Sequence, residues 1–414
     1  MSLPSVPAAP MGPAYDRVEL VGDGAETFAT HALLALECRA GVLPPHIQAG
    51  LPGAVQRLTH APLHAIAMQC LAHAGRPVSA WAAPEDLLTE ALGMDGQGRF
   101  NAARAEYSPY NRPGSFPNIL SGLANKILDQ GLELSTPSYE SWTGTVEDQP
   151  TLRESPIVAK SQADELDEVL DGQAVKELGL GEEMLSFMLV RRFGNKFGAT
   201  PTLLANDDLQ AFKEGLLGLE TAWQNTVNRG CLFLLTNNAK LLDTFALFDD
   251  ANHGNDLVAG GAAPSVTSWQ AMQLKLAAQR GIGGKGYIRT PLGVALVPPK
   301  HLVAAQQLFA PLQQLGEVKT PATDANVNTY RGTASVVYEP ELQADSADRW
   351  YGFCQPQGSL NATIVRAYFK GWGKAGKRER WYDPATKVFN FGLEGRVGCA
   401  AKQYRTAVRN SGVA

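Results

Sequence analysis

The sequence predicts an α+β chain in which helical and strand-forming stretches are segregated along the polypeptide. Three observations carry this. Short Ala- and Leu-rich helices gather between about Glu26 and Met94, one long amphipathic pattern fills the middle, and strand-like stretches crowd the final third. With 414 residues, 44% hydrophobic and 19% charged, the chain has ample material for a core and a length that suits roughly two or three domains. Thirty-six Lys and Arg against 41 Asp and Glu leave a net charge of −5. That balance argues against a dedicated nucleic-acid-binding surface, which needs clustered positive charge. No apolar run approaches the ~20 residues of a membrane span. The start MSLPSVPAAPMGPAYDRVEL has neither the basic nor the apolar region of a secretory signal, so neither a membrane nor a secreted protein is expected. The five cysteines, Cys38, Cys70, Cys231, Cys354 and Cys399, are odd in number and never spaced C-x-x-C. They read as small buried residues of a chain folding in a reducing cytoplasm.

Residues 1 to about 15 are rich in Pro, Ala and Ser and read as a disordered lead-in. Phe28, Leu33, Leu34 and Leu36 fall in one helical stretch, and Leu63, Ile66, Leu71 and Ala72 in another. Pro44, Pro45, Pro52, Pro62 and Pro84 keep these helices short. Residues 95–115 lack periodicity and read as a linker. A stronger helix follows, with Ser115 as cap, Pro117 in the first turn, an apolar stripe of Ile119, Leu120, Leu123, Ile127 and Leu128, and Gly131 as its stop. After a Pro-interrupted extended region, Ala163 to Glu183 carries eight acids against one base, Lys176. Such an arm is solvated or lies on something basic.

Met184 to Phe197 is strand-like. The longest helix pattern follows, capped by Asn206 or Asp207, with Asp208 at the positive end of the dipole. Leu209, Phe212, Leu216, Leu219, Trp223 and Val227 form its apolar stripe. Extended to about Leu235 it would be roughly 40 Å long, a spine rather than one layer of a small domain. A helix over Ser268–Gln279, the turn RGIGGKG, a strand Gly293–Val297 and a helix from Lys300 to Phe309 come next. Strands are expected at Ala334–Tyr338, Trp350–Cys354, Ala362–Phe369 and Val388–Leu393, while Cys399–Val408 fits strand or helix.

Chemical motifs are weak. Gly281, Gly283 and Gly286 satisfy G-x-G-x-x-G, but a helix precedes and a strand follows, the reverse of a dinucleotide site. His60 and His64 have zinc-helix spacing, interrupted by Pro62 and lacking the adjacent Glu. Asp249, Asp250 and His253 are explained by a polar turn. No catalytic constellation, metal site or cofactor site is expected, and the chain reads as a non-enzyme. What remains is a basic run, Arg366 to Arg380, with six bases and one acid. It is either a solvated hairpin turn or a patch complementary to the acidic loop of another copy.

The order of these pieces resembles the major capsid protein of tailed double-stranded DNA bacteriophages, and within it the branch related to prohead protease–capsid fusions. The likeness spans about residues 55–414. It rests on HAIAMQCLAHAG (His64–Gly75), FPNILSGLANKIL (Phe116–Leu128), LGEEMLSF in the acidic loop and LLANDDLQAF (Leu203–Phe212). ANHGN with LVAGGAAPS, LVPP (Leu296–Pro299), VVYEPEL (Val336–Leu342) and RTAVRN complete it. The resemblance implies the Hong Kong 97-like fold: an accessory, scaffold-like segment at 1–115, an N-terminal arm at 116–150 and an extended E-loop at 151–187. It further implies a peripheral domain at 188–242 and 332–379, and an axial domain at 243–331 and 380–414. The implied function is assembly into hexamers and pentamers that close an icosahedral head in the host cytoplasm around DNA bound without sequence preference. Portal, scaffold and decoration proteins are the implied partners. The expected contacts between copies pair Asp164, Glu165, Asp167 and Glu168 with Arg366, Lys370, Lys374, Lys377 and Arg378. Some members of the fold crosslink an E-loop lysine to a neighbour's asparagine, and Lys176 is the lysine available here. Competing readings are an encapsulin-type compartment shell, a capsid protein whose first 115 residues derive from a prohead protease, and a nucleotide-binding enzyme using the glycine turn.

Overall fold

The structure is a computed structural model. It describes residues 24–73, 82–92, 116–135, 137–160, 168–169, 171, 175, 181–284, 286–309, 330–383, 385–386 and 388–413. Helices α1 (Gly24–Arg39), α2 (Pro45–Gln48), α3 (Gly53–Thr59), α4 (Leu63–His73) and α5 (Pro84–Ala91) come first. Next are α6 (Phe116–Leu134), α7 (Tyr139–Trp142), β1 (Gly144–Thr145), β2 (Ser155–Lys160), β3 (Glu182–Met188), β4 (Arg191–Ala199), α8 (Pro201–Ala205) and the spine helix α9 (Leu209–Thr236). Then follow β5 (Asp256–Leu257), α10 (Val266–Ala277), β6 (Leu292–Val297), α11 (Leu302–Phe309), β7 (Ser335–Tyr338) and α12 (Leu342–Asp345). The chain ends with β8 (Trp350–Cys354), β9 (Ile364–Tyr368), β10 (Lys377–Asp383), β11 (Val388–Ala401) and β12 (Ala407–Asn410).

The chain divides into two compact units and passes between them along α6, β4, α9, β10 and β11. The first comprises residues 1–130, 197–217 and 380–391. Its helices bury Leu36, Leu63, Ile66, Leu88, Leu120 and Leu123. Asp207 joins them to the start of the spine: its carboxylate pairs with Arg39 and accepts the Leu63 N–H at 3.2 Å. Arg39 also donates to Ala61 O at 2.8 Å, and Lys213 donates to Ala40 O at 2.7 Å. The ends of α1 and the start of α4 are thus tied to the spine helix's first turns. Asp207 has φ 57°, so it is a link between α8 and α9. The cap is Asp208, whose carboxylate accepts Ala211 N–H at 2.9 Å; the expected cap lay one or two residues too early.

The second unit, residues 131–196, 218–379 and 392–414, is built on sheets. One five-stranded sheet has the order β1-β9-β11-β10, with β4 also pairing β11. The other runs β5-β12-β8-β6-β7, and β2 and β3 form a separate two-stranded ribbon. Trp269, Met272, Leu292, Phe309, Trp350 and Val408 fill the core beside the β6–β8 sheet, with Trp269 and Trp350 stacked at 6.0 Å.

Two expectations change. Helix α6 runs through Gly131 to Leu134, because Gly131 is buried there and packs instead of capping. Strand β10 grows out of the basic run, yet β11 lies between β9 and β10, so the run is not a hairpin turn. Strands β7 and β8 share a sheet with β6, while β10 and β11 share one with β9. RGIGGKG is a tight turn with Gly283 at φ 74° and Gly286 at φ 64°, closed by Gly281 N–H to Gly286 O at 3.1 Å. His60 ends α3 and His64 lies on α4, so their four-residue spacing spans two helices.

Candidate assembly surface

The β2–β3 ribbon has two unlike faces, produced by strand alternation and one bulge. Pairs Pro156–Phe187, Val158–Met184 and Lys160–Glu182 lie on one side, with a register shift between Ile157 and Val158 that keeps the set together. This side is uncovered: Phe187 is 43% exposed, Met184 42% and Val158 37%. Lys160 and Glu182 close it with an ion pair at 3.2 Å. The other side carries Ile157, Ala159, Leu185 and Met188, all buried. Ile157 and Met188 pack with Val190, Ala362, Val365 and Ala400.

The ribbon is fastened along β3. Arg405, largely buried, pairs with Glu183. Ser186 Oγ donates to Ala401 O at 2.5 Å, and Leu242 N–H to Leu185 O at 2.9 Å. Tyr404, next to Arg405, stacks on His253 at 3.7 Å, and His253 Nε2 contacts Asp243 at 2.9 Å. Asn255 ties this region together: its amide donates to Leu247 O at 2.9 Å and Tyr404 O at 3.1 Å, and its carbonyl accepts Asp249 N–H at 3.0 Å. The Asp249–Asp250–His253 group is therefore a set of turn and packing residues; Asp250 pairs with Lys275.

The basic run divides between interior and surface. Arg366, on β9, turns inward, donating to Thr143 and lying over the Tyr139 ring at 4.8 Å. Lys374 pairs with Glu140, and its carbonyl accepts the Trp223 Nε1–H at 2.7 Å, so the turn is held on the spine helix. Trp372 lies between Arg396, at 4.1 Å, and Lys377, at 4.9 Å. Gly376, at φ 69°, sits so close to the Glu394 carbonyl that no side chain fits. Lys370 and Lys377 are exposed, and Arg378 is half-buried. On the acidic side, Glu168 is exposed, while Asp164, Glu165, Asp167 and Lys176 lie outside the described residues. The structure thus leaves Lys370 and Lys377 as outward-facing bases and commits Arg366 and Lys374 to contacts within the chain.

Sequence reasoning missed Arg405 and the ribbon's apolar face. The alternation in SPIVAK was the available signal for that face, masked by Pro156 and the bulge. Nothing local marks Arg405, whose partner is 222 residues away.

A two-stranded ribbon with one bare apolar face is marginal alone. The family model described as "Phage capsid protein" matches residues 186–410, more than half of the chain, and the chain belongs to that family. No curated protein matches the chain. Among solved structures, a chain of Microbacterium phage Oxtober96 is similar at 9% identity and TM-score 0.40, covering 67% of this chain and 93% of that one. The capsid of Ralstonia phage GP4 is similar at 10% identity and TM-score 0.39, covering 67% and 91%. The virus-like particle from Pyrococcus furiosus is similar at 9% identity and TM-score 0.39, covering 69% and 97%. These superpositions are loose, and family membership rests on the sequence match.

Proposed function

We propose that the chain is the major head protein of a tailed bacteriophage, assembling into hexamers and pentamers that close an icosahedral shell around double-stranded DNA. The observation that carries this is the ribbon's outer face. Pro156, Phe187, Val158 and Met184 form an apolar strip that is exposed among the described residues. Burial against a neighbouring copy removes that strip from water, at about 25 cal/mol per Å². Summed over every neighbour in a closed shell, modest contacts then give a stable particle.

In this reading β2 and β3 with residues 161–181 are the E-loop. The β9–β11 sheet with α9 is the peripheral domain, and the β6–β8 sheet with α10 and α11 is the axial domain. The acids of residues 163–183 meet Lys370, Lys377 and Arg378 of an adjoining copy. The net charge of −5 suits a wall that holds DNA without gripping its phosphates. Portal, scaffold and decoration proteins are the further partners.

The test is electron microscopy of the purified full chain across a concentration series, beside Phe187→Asp. Shells or capsomer rings in the parent and their loss in Phe187→Asp, with an unchanged circular dichroism spectrum, support the reading. A parent that stays monomeric at every concentration overturns it. Nucleic acid inside particles from infected cells, rather than a cargo enzyme, separates a phage head from a compartment shell.

A further inference from the structure

The spine helix and the long central strand place two thiols in contact. Cys231 Sγ lies 3.1 Å from Cys399 Sγ, although 168 residues separate them in sequence. A disulfide requires ~2.05 Å between the sulfurs, so the two atoms stand about 1 Å short of bonding distance. The approach is built into both elements. Gly230 faces Cys399, with its missing Cβ position 3.4 Å from the sulfur, leaving the thiol room against the helix. Cys399 is paired in register with Arg366 across β11 and β9, which brings a guanidinium alongside the two sulfurs. Cys231 is fully buried and Cys399 is half-buried, so Cys399 is the less enclosed residue of the pair. The contact with Cys399 and burial both push the Cys231 thiol up, and Arg366 draws it back down. Cys354, by contrast, is a single buried thiol donating to Thr290 O at 3.3 Å.

We infer that Cys231 and Cys399 form a reversible redox lock that joins α9 covalently to β11 when the chain meets an oxidising small-molecule disulfide. The Cys399 thiolate attacks one sulfur of the oxidant, breaking its S–S bond, forming a mixed disulfide and releasing one small thiolate. The Cys231 thiolate then attacks the Cys399 sulfur, forming the intrachain bond and releasing the second. The two protons lost by the cysteines end on the two released small thiols. The cysteines are oxidised by two electrons and the oxidant is reduced by two. In reducing surroundings the pair stays open; outside them it closes. A cross-link enclosing so long a loop restricts the unfolded chain and so favours the folded one. The inference does not depend on the assembly reading, since both cysteines belong to one subunit.

The experiment treats the full chain with oxidised glutathione and titrates thiols after denaturation. Two of the five thiols should disappear, a Cys231–Cys399 linked peptide should appear in a non-reducing digest, and the thermal midpoint should rise and return on adding dithiothreitol. The midpoint shift should vanish in Cys399→Ser and persist in Cys354→Ser. Five intact thiols after treatment, glutathione left on Cys399, or linkage through any other pair overturns the inference. The digest is made on the parent chain, so the result stands even where a variant folds poorly.

Discussion

Arg405 on the loop before β12 pairs with Glu183 on β3, and this contact fastens the loop end of the β2–β3 ribbon to the strand β12 side of the same unit. Both groups are mostly withdrawn from water, which makes the pair sensitive to the loss of one partner. Arg405→Gln leaves a carboxylate without its cation and should cost about 2 kcal/mol. The double variant Glu183→Gln/Arg405→Gln should cost less than that single one. Urea unfolding gives the cost, and amide exchange in β2 and β3 should accelerate in Arg405→Gln first. Equal exchange in ribbon and sheet would remove the fastening role.

Trp223 on α9 packs its ring directly against Gly395 on β11 while its Nε1–H holds the Lys374 carbonyl. A methyl at 395 collides with a rigid, buried indole. Gly395→Ala should therefore destabilise by about 2 kcal/mol. Trp223→Phe in the same background should recover part of that, because the smaller ring yields space while forfeiting one hydrogen bond of about 1 kcal/mol. Thermal melts of the three variants decide; additive losses would show that the two sites do not press on each other.

His301 supplies a pH dependence with a definite sign. Its ring is buried, Nε2–H donates to Asp348 O at 3.0 Å, and burial lowers its pKa from the ordinary value of 6.5. The folded chain thus favours the neutral ring. Its contribution is complete above the unfolded pKa and is lost as pH falls from there through the folded pKa. The urea midpoint should drop between about pH 7 and pH 5, and His301→Gln should flatten that decline. A His301→Gln profile parallel to the parent's would assign the decline to other groups.

Lys377 and Arg378 test the pairing between copies. Their reversal, Lys377→Glu/Arg378→Glu, should cut shell yield on the order of tenfold at low salt, with a smaller deficit at high salt because screening weakens exposed pairs. Assembly indifferent to the reversal, with folding unchanged, would leave the ribbon's apolar face as the whole of the contact.

Periodic elements were legible because their information is local. The +3/+4 stripe of α9 named Phe212, Leu216, Leu219, Trp223 and Val227, and all five are buried. Strands β6, β7, β8 and β9 fall where alternation and β-branched residues put them. Strands β2 and β3 flank the acidic stretch. The helix cap was misplaced by a residue because Asn206, Asp207 and Asp208 are all competent; the left-handed backbone of Asp207 and its contacts with Arg39 and Leu63 decided among them.

By itself the sequence determined the kinds of element, their order, the apolar side of the spine and the separation of charge into an acidic and a basic run. Only the tertiary structure decided that β11 lies between β9 and β10, that β7 and β8 join β6, that Arg366 turns inward, and that Cys231 meets Cys399. The physical reason is range. Periodicity and capping act over a few residues and are written in neighbouring side chains, whereas these strand pairings join positions tens of residues apart and the Arg366–Thr143 and Cys231–Cys399 contacts join positions more than a hundred apart. Those are selected by which surfaces bury together once the chain has closed.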